Sequence, residues 1–399
     1  MLACISCGET YPYNEIEYKC RRCGDLLEAR IEGGEVFRPD SLQGRVHSIW
    51  RYRELLPGFF TRIVSLGEGY TRLLRAERLA ELIGVRELYV KLEGLNPTGS
   101  FKDRGMSVGV SMACTLGARS VVCASTGNTS ASLAAYAARA GLECRVYVPE
   151  GKIALGKLFQ ARMFGAKIHQ VAGSFDDALK IVMERSGSES YILNSVNPWR
   201  IEGQKTAAFE LWEQMGGKTD YVVVLPVGNS GNISAYWKGF RELLDHGLID
   251  TAPRLVGVQA AGASPIVEVV SKGLDRLPDW PNPETIATAI RIGRPINWKK
   301  GVRAIKESGG TAVRVSDEEI LQALRLLATT EGIATEPAGA SPIAGVKKLV
   351  EEGWLGRDDK VICIATGNML KDTSETLVAW NQPQRHELST TPTRTRSIG

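Results

Sequence analysis

Short apolar stretches alternate with helix-like stretches between residues 87 and 259, and this alternation limits the folds open to the chain. Residues 120–124 read Ser-Val-Val-Cys-Ala and residues 221–225 read Tyr-Val-Val-Val-Leu, which is typical of buried strands. The alanine-rich residues 128–140 favour a helix. Strands separated by helices form βαβ units, so the pattern predicts an α/β fold with parallel sheets. Ligands of such folds bind at the carboxyl ends of the strands.

The same reasoning assigns an element to most of the chain. Ser316 and Glu319 form a capping box that opens a helix. Residues 260–315 are rich in proline and glycine and predict long loops, which could include a subunit contact. The predicted strands are residues 88–93, 120–124, 144–148, 167–171, 191–193, 221–225, 255–258 and 361–365. The predicted helices are residues 75–83, 101–116, 128–140, 155–164, 175–185, 204–215, 233–244, 317–330 and 340–352.

Composition excludes several classes of protein. The 399 residues are enough for two or three domains, and 43% hydrophobic with 24% charged residues is ordinary for a soluble protein. A formal charge of +4 gives no argument for nucleic-acid binding. The chain has no run of about 18 apolar residues, so no membrane span is expected. The first residues lack the basic and apolar regions of a signal peptide, so we expect a cytoplasmic enzyme.

Four cysteines mark a separate module in residues 1–37. Cys4 and Cys7 form one C-x-x-C pair, Cys20 and Cys23 form another, and glycine follows each pair. Four thiolates at this spacing predict a closed, structural zinc site of the zinc-ribbon kind. The alternatives are two disulfides, which a cytoplasmic chain disfavours, or a site that has lost its metal. Too few apolar residues are present for an independent core, so metal loss should unfold the module. Our hypothesis for its role is anchoring on the catalytic body or on a neighbouring subunit.

A lysine stands where a helix is predicted to begin. Residues 96–105 read Asn-Pro-Thr-Gly-Ser-Phe-Lys-Asp-Arg-Gly, in which Ser100 can cap a helix that carries Lys102 in its first turn. The positive end of the helix dipole disfavours a cation there and eases loss of its proton. A neutral lysine amine is a nucleophile toward carbonyl groups. The alternative is an ordinary solvated lysine.

Three further turns of small polar residues follow predicted strands. Residues 125–132, Ser-Thr-Gly-Asn-Thr-Ser-Ala-Ser, predict an anion cradle at a helix start, although they could simply cap that helix. Residues 226–232, Pro-Val-Gly-Asn-Ser-Gly-Asn, expose backbone N–H groups to a phosphate, or form a tight turn. This loop is neither a Walker motif nor G-x-G-x-x-G, so a nucleotide is not implied. With the lysine turn counted as the first, these are the second and third turns. The fourth turn is residues 366–368, Thr-Gly-Asn, in which Thr366 could hydrogen-bond a ring nitrogen.

A second candidate anion site lies in residues 194–206. Arg200 follows Asn194 and Ser195 closely, and arginine is favoured where a phosphate is held by a planar fork. A solvated arginine near a helix start is the alternative. Together with the four turns, this site implies a lysine that forms a Schiff base, a small phosphorylated aromatic aldehyde and an anionic substrate. Pyridoxal phosphate meets this description and would supply the electron sink.

The motifs at residues 100–105, 125–128 and 228–232 resemble the tryptophan synthase β-like family of pyridoxal phosphate enzymes, fold type II. The resemblance covers roughly residues 60–375, and some members of the family also carry an N-terminal cysteine module. The chain departs from the family at Ser230 and at residues 368–369, where glycine or histidine are often found.

The family resemblance implies two doubly wound α/β domains with the cofactor between them. The expected division is a zinc-ribbon-like module at residues 1–37, a large cofactor-binding domain at 38–92 and 197–380, and a small domain at 93–196. The polar residues 381–399 predict a disordered tail. Family analogy also favours a homodimer.

The resemblance also implies a role for each site residue. Lys102 would hold the cofactor as a Schiff base and act as acid and base. The remaining cofactor contacts would be Phe101 at the ring, Asn128 at the 3′ oxygen, Thr366 at the ring nitrogen, and Gly228, Asn229, Ser230, Gly231 and Asn232 at the phosphate. The substrate contacts would be Ser125, Thr126 and Thr129 at the α-carboxylate, and Asn194, Ser195 and Arg200 at a substrate phosphate.

Within the family, the full set is most similar to members that turn O-phospho-L-homoserine and water into L-threonine and phosphate. The expected reaction is a γ-elimination followed by a β-hydration. A threonine or serine ammonia-lyase is an alternative, but its substrate has no phosphate for Arg200. A cysteate synthase, acting on phosphoserine, is separated poorly by sequence. A non-catalytic binding protein on the same fold would be colourless, and the intact Lys102 argues against it.

Overall fold

A computed structural model describes residues 1–31, 37–150, 155–173, 175–184 and 190–373, and arranges them in three β-sheets with flanking helices. Residues 381–399, predicted to form a disordered tail, lie outside the described residues. No helix within the described ranges combines the length and the apolar character that a membrane crossing would need.

Thirteen strands and eleven α-helices are present in the described part of the chain. The strands are β1 Leu2–Cys4, β2 Thr10–Tyr11, β3 Leu27–Ala29, β4 Leu73–Arg75, β5 Glu87–Leu92, β6 Ser120–Ala124, β7 Glu143–Pro149, β8 Lys167–Val171, β9 Ser190–Ile192, β10 Val222–Pro226, β11 Arg254–Ala260, β12 Thr311–Val315 and β13 Lys360–Ala365. The helices are α1 Glu77–Ile83, α2 Lys102–Thr115, α3 Asn128–Ala140, α4 Leu155–Met163, α5 Phe175–Glu184, α6 Trp199–Gln214, α7 Gly231–Asp245, α8 Pro265–Lys272, α9 Trp298–Glu307, α10 Asp317–Glu331 and α11 Pro337–Glu351.

Two of the sheets carry the parallel pairing that the sequence predicts. The larger has six strands in the order β12-β11-β10-β13-β5-β4, all parallel except the antiparallel edge strand β4. The smaller has four parallel strands in the order β8-β7-β6-β9. The third sheet, β2-β1-β3, is antiparallel and belongs to the cysteine module. The prediction of an α/β fold is confirmed.

Alternation along the central strands places the core on both faces of the six-stranded sheet. In β10, Val222 and Val224 enter one apolar cluster, while Val223 and Leu225 enter another on the opposite face. A strand covered on both faces has no polar side, which is why its sequence reads as a continuous apolar run. The four-stranded sheet shares a third cluster with the cysteine module.

Three predictions of local structure need correction. Residues 260–315 contain α8, α9 and the edge strand β12 in addition to the predicted long loops, of which residues 273–297 are the longest. Helix α11 begins at Pro337 rather than at residue 340. Helix α6 begins at Trp199, five residues before the predicted start, and therefore carries Arg200 in its first turn. The first turns of α6 are buried all round, so no amphipathic period marks where that helix begins.

A buried ionic cluster fixes α2 against α6 and β5. The Arg104 guanidinium contacts the carboxylate of Glu93 at 2.6 Å and that of Glu210 at 2.5 Å. Lys91 adds a second cation at 2.9 Å from Glu210. All four side chains are removed from water, so separating any of these charges from its partners would leave a buried charge uncompensated. This cost holds the start of α2 in one position.

The cysteine module is anchored on the catalytic body at two places. The hydroxyl of Tyr18 accepts a hydrogen bond from the backbone N–H of Ile192, 2.8 Å away, at the end of β9. On the other side, the Lys300 ammonium donates to the carbonyl of Leu27 at 2.9 Å. The module therefore contacts structure beside both larger sheets, in agreement with the anchoring hypothesis.

Candidate functional site

Helix α2 begins at Lys102, one residue after the predicted start, so Lys102 lies in the first turn as predicted, but Ser100 does not cap the helix. The N-cap residue is Phe101, and it makes no capping hydrogen bond. Instead the Asp103 carboxylate accepts from the backbone N–H and the hydroxyl of Thr98, both at 2.6 Å, and closes the turn from within the helix. Ser100 Oγ is left buried without a partner. The N–H groups of Asp103 and Arg104 donate to the carbonyls of Ser100 and Phe101 at 3.3 Å, so the first turn does not use the serine hydroxyl as a cap.

The Lys102 side chain occupies a cationic and apolar setting. It is half-buried, and its Nζ lies 4.2 Å from the centroid of the Phe101 ring. Burial and, to a smaller extent, the positive charge of Arg200 lower the pKa of Lys102 to about 7, against the opposing negative charge of Glu336. A large fraction of the amine is therefore neutral near pH 7, as its proposed nucleophilic role requires.

The fourth turn is joined directly to the lysine turn by backbone hydrogen bonds. Phe101 N donates to the Thr366 carbonyl at 3.1 Å, and Asn368 N donates to the Gly99 carbonyl at 2.8 Å. A Cβ on Gly94 would lie 2.8 Å from Asn368 N, so this close approach needs glycine. Sites predicted from residues far apart in sequence thus share one edge of the large sheet.

Glu336 links the second turn to the fourth. Its buried carboxylate accepts from Asn128 Nδ2 at 2.9 Å and from Thr366 Oγ1 at 3.1 Å. Sequence reasoning missed this residue. The one available signal was a carboxylate directly before Pro337, since proline is favoured in the first turn of a helix.

The residues of the second turn stand at the carboxyl end of β6, where α3 begins. Ser125, Thr126 and Thr129 are half-buried, so a ligand could reach their hydroxyls. Ser125 Oγ also accepts from Gly127 N at 3.2 Å, which shapes the turn. The three hydroxyl groups of the predicted carboxylate cradle therefore lie together after one strand end.

The third turn opens α7 in a strained conformation. Ser230 is the N-cap residue with φ +62°, a left-handed conformation that favours glycine. This is one of the positions where the chain departs from the family pattern. Ser230 Oγ and Asn232 Nδ2 are buried without hydrogen-bond partners. A small anion at this helix start would supply the missing acceptor.

Asn297, which the sequence analysis missed, joins the third turn to the Ser195 segment. Its Nδ2 donates to the Ser195 carbonyl at 2.9 Å, and its backbone N–H donates to the Asn229 carbonyl at 3.1 Å. Asn194 has a different task, because its amide pairs with both backbone groups of Ala124 at 2.9 Å. Asn194 thus fixes the segment to β6, with part of its hydrogen-bonding capacity already used.

Arg200 reaches the site because α6 crosses α2 at glycines. A Cβ on Gly105 would lie 2.8 Å from the Arg200 carbonyl oxygen, and a Cβ on Gly109 would lie 3.4 Å from Arg200 Cγ. The guanidinium is buried, its Nε has no partner, and burial lowers its pKa to about 10. Gln204 Oε1, one turn along α6, is also buried without a partner. A buried cation beside unpartnered polar atoms fits an anionic ligand.

Comparison with known proteins identifies the family. The family model described as pyridoxal-phosphate dependent enzyme matches residues 64–367. The chain is 53% identical over 389 residues to a threonine synthase of Methanocaldococcus jannaschii, covering 96% of each chain. It is also 53% identical over 331 residues to a threonine synthase of Mycobacterium tuberculosis, covering 82% of this chain and 89% of the other. The chain belongs to the threonine synthase family of pyridoxal-phosphate dependent enzymes.

Similarity to a solved structure extends to the fold. Diaminopropionate ammonia lyase from Escherichia coli superposes with a TM-score of 0.68 at 19% identity, covering 87% of this chain and 94% of the other. The family model and the threonine synthase relatives confirm the family predicted from the motifs at residues 100–105, 125–128 and 228–232, and the superposition confirms the α/β architecture. The alternative of a non-catalytic binding protein is not supported. The relatives are enzymes, and the match to one of them covers nearly the whole length of this threonine synthase family member.

The four N-terminal cysteines of this threonine synthase family member come together as their spacing predicts. Their Sγ atoms all lie within 4.8 Å of one another. Cys4 and Cys23 have Sγ atoms 3.4 Å apart, and Cys7 and Cys20 have theirs 3.6 Å apart. These distances exceed a disulfide bond of about 2.05 Å. They approach the roughly 3.8 Å edge that Zn–S bonds of about 2.3 Å give a tetrahedron, so the donor set fits zinc.

Proposed function

We propose that the protein catalyses the threonine synthase reaction, in which O-phospho-L-homoserine and water give L-threonine and phosphate. The observation that carries the substrate choice is the buried Arg200 guanidinium, whose Nε has no partner and whose charge acts on Lys102. Substrates of threonine or serine ammonia-lyases have no phosphate, so they would leave this cation without a partner. Near full-length similarity to threonine synthases supports the same choice over a cysteate synthase.

The family's cofactor, pyridoxal phosphate, fits the polar groups at the strand ends. Lys102 would bind it covalently, with Phe101 beside its ring. Bound there, the cofactor supplies an electron sink for negative charge developing at the substrate carbons. The other contacts we propose are Asn128 at the 3′ oxygen, Thr366 at the ring nitrogen, and Gly228, Asn229, Ser230, Gly231 and Asn232 at the phosphate.

The substrate's two anionic ends would bind at two different places. Ser125, Thr126 and Thr129 would bind the α-carboxylate through the hydroxyls and N–H groups at the start of α3. The substrate phosphate would be held by Asn194, Ser195 and Arg200. Its negative charge would offset the desolvated guanidinium, and a forked donor suits phosphate oxygens.

Proton transfer falls to Lys102. Its amine would remove the protons at Cα and Cβ of the substrate, and would return one proton to Cγ, which becomes the methyl carbon, and one to Cα. A lowered pKa keeps that amine able to accept a proton near neutral pH. The departing phosphate takes the bonding electrons at Cγ, and water adds at Cβ, so the products are threonine and one phosphate.

The reaction is tested by following phosphate and threonine together after adding O-phospho-L-homoserine to the purified protein. We expect equal release of the two products. Turnover of phosphoserine or of threonine instead, with no phosphate released from O-phospho-L-homoserine, would keep the cofactor and assign the substrate site to one of the alternative enzymes.

The pH dependence of cofactor capture should follow the Lys102 amine. Because the pKa of Lys102 lies near 7, the amine is protonated and unreactive below that pH and neutral above it. We expect the rate of covalent capture of pyridoxal phosphate by the apo-protein to rise with pH around about 7 and to level off above it. Stopped-flow absorbance measures this rate, and a midpoint near 10 would contradict the assignment.

We also propose that Cys4, Cys7, Cys20 and Cys23 bind one structural zinc ion. Substituting the exposed ligands Cys7 and Cys23 by serine should lower the zinc content from about one ion per chain to near zero. The thermal midpoint should fall as well, because the module lacks a core of its own. Metal analysis and circular dichroism check both results, with Cys114→Ser as the matched control. An unchanged zinc content in the double variant would exclude this site.

The remaining assignments of the sequence analysis stay proposals. The division into residues 1–37, 38–92 with 197–380, and 93–196 is supported by the sheets, because β6 to β9 all fall within the last range. A homodimer and a cytoplasmic location remain predictions.

A further inference from the structure

Glu336 occupies a position that the roles proposed above leave unexplained. Its side chain is 3% exposed and does not cap α11, although the residue directly precedes that helix. A Cβ on Gly367 would lie 2.5 Å from Glu336 Oε1, so the backbone of the fourth turn is in close contact with the carboxyl group. A buried carboxyl that does not cap its helix needs another reason to be present.

The two side chains that Glu336 contacts are those proposed for two different cofactor atoms, the 3′ oxygen and the ring nitrogen. Asn128 Nδ2 donates to Oε2 at 2.9 Å, and Thr366 Oγ1 lies 3.1 Å from Oε1. Asn128 belongs to α3, beside the small sheet, and Thr366 follows β13 of the large sheet. One carboxyl group therefore spans the two sides of the site.

We propose that Glu336 is a positioning residue for the cofactor ring, which holds Asn128 in place and sets the direction of the Thr366 hydroxyl hydrogen bond. This inference rests on the proposed cofactor contacts of Asn128 and Thr366. Nothing in the proposal requires Glu336 to exchange a proton with substrate.

The direction follows from the single proton of a hydroxyl group. An ionised Glu336 only accepts, so Thr366 must donate its proton to Oε1 and can offer a ring nitrogen only a lone pair. A protonated Glu336 donates to Thr366 Oγ1, which frees the hydroxyl proton for an unprotonated ring nitrogen. The two states differ by one proton, which the carboxyl group exchanges with solvent, and they favour different charges on the ring.

The surroundings of Glu336 favour its neutral form more than water does. Burial raises the pKa of its carboxyl, as does the charge of Asp372, while the hydrogen bonds from Asn128 and Thr366 and the charge of Lys371 oppose the shift. The negative charge of Glu336 also acts on the Lys102 amine and raises the pKa of that amine. The protonated state, with Thr366 donating toward the ring, therefore extends to a higher pH than for an ordinary carboxyl group.

Glu336→Gln separates positioning from charge. The glutamine oxygen can accept from Asn128 while its amide donates to Thr366, which reproduces the protonated state at every pH. We expect the apo-form of this variant to bind pyridoxal phosphate within about threefold of wild type, and Glu336→Ala to bind about tenfold more weakly. Fluorescence titration of each apo-protein gives these dissociation constants.

Two further readouts exclude a purely structural role. In a Thr366→Val background, Glu336→Ala should weaken cofactor binding by clearly less than tenfold, because the partner of Glu336 is already gone.

The second readout is the absorbance of the bound cofactor. It should change with pH in wild type, and the part of this change that is due to Glu336 should be absent in Glu336→Gln. Additive losses, or identical pH profiles, would overturn the inference. If Glu336→Ala does not fold, the pH profile of the glutamine variant decides alone. A wild-type protein that binds no pyridoxal phosphate would instead contradict the proposed function.

Discussion

Replacing Lys102 by alanine is expected to abolish threonine formation, with a loss of at least about 10³-fold in kcat. The structure gives this amine a lowered pKa at the start of α2, beside Arg200 and on the ring of Phe101. We propose two tasks for it, covalent attachment of the cofactor and proton transfer at two substrate carbons. Alanine removes both tasks without removing the turn, because Asp103 and Thr98 close that turn.

The experiment follows two signals in the same samples. Product assays measure threonine and phosphate, and borohydride reduction followed by mass spectrometry shows whether cofactor is attached to the chain. The matched control is Lys347→Ala, since Lys347 is a half-exposed lysine on α11 and pairs only loosely with Glu351 at 3.9 Å. We expect the control to retain full activity. Threonine formation by Lys102→Ala clearly above about 10⁻³ of the wild-type rate would refute the assignment.

The features that sequence could supply are those encoded locally. The apolar run of β10 and the turn that follows it predict a strand end with a phosphate-binding loop, because both signals lie within a few residues of each other. The C-x-x-C pairs likewise carry their own geometry. Bounds of several elements, such as β6 and α3, agree with their predictions because burial and alanine content act over a single segment.

The features that sequence could not supply depend on partners far along the chain. Glu336 matters because it lies between Asn128 and Thr366, and nothing near residue 336 encodes that meeting. Asn297 lies in a segment predicted to be loops, so its bonds to Ser195 and Asn229 could not be foreseen. The predicted Ser100 cap failed for a local reason, since the first N–H groups of α2 donate to the backbone carbonyls of Ser100 and Phe101.

Arg200→Gln is expected to lower kcat/KM for O-phospho-L-homoserine roughly 10²-fold, chiefly through a higher KM. The guanidinium is buried, and its Nε has no partner in the protein, so a bound phosphate is the group that would compensate its desolvation. Neutral glutamine cannot provide the charge or the forked donor. Arg200→Lys keeps the charge and loses the fork, so we expect an intermediate loss.

The same substitution should also change the chemistry of Lys102, because the charge of Arg200 lowers the pKa of that amine. Without this charge, the midpoint for covalent capture of pyridoxal phosphate should move above about pH 7 in Arg200→Gln and stay near its wild-type value in Arg200→Lys. The two readouts separate two tasks of one residue, since phosphate binding depends on the fork and the midpoint on the charge alone. An unchanged KM with a shifted midpoint would leave Arg200 with an electrostatic task only, and the substrate phosphate would then have to bind elsewhere.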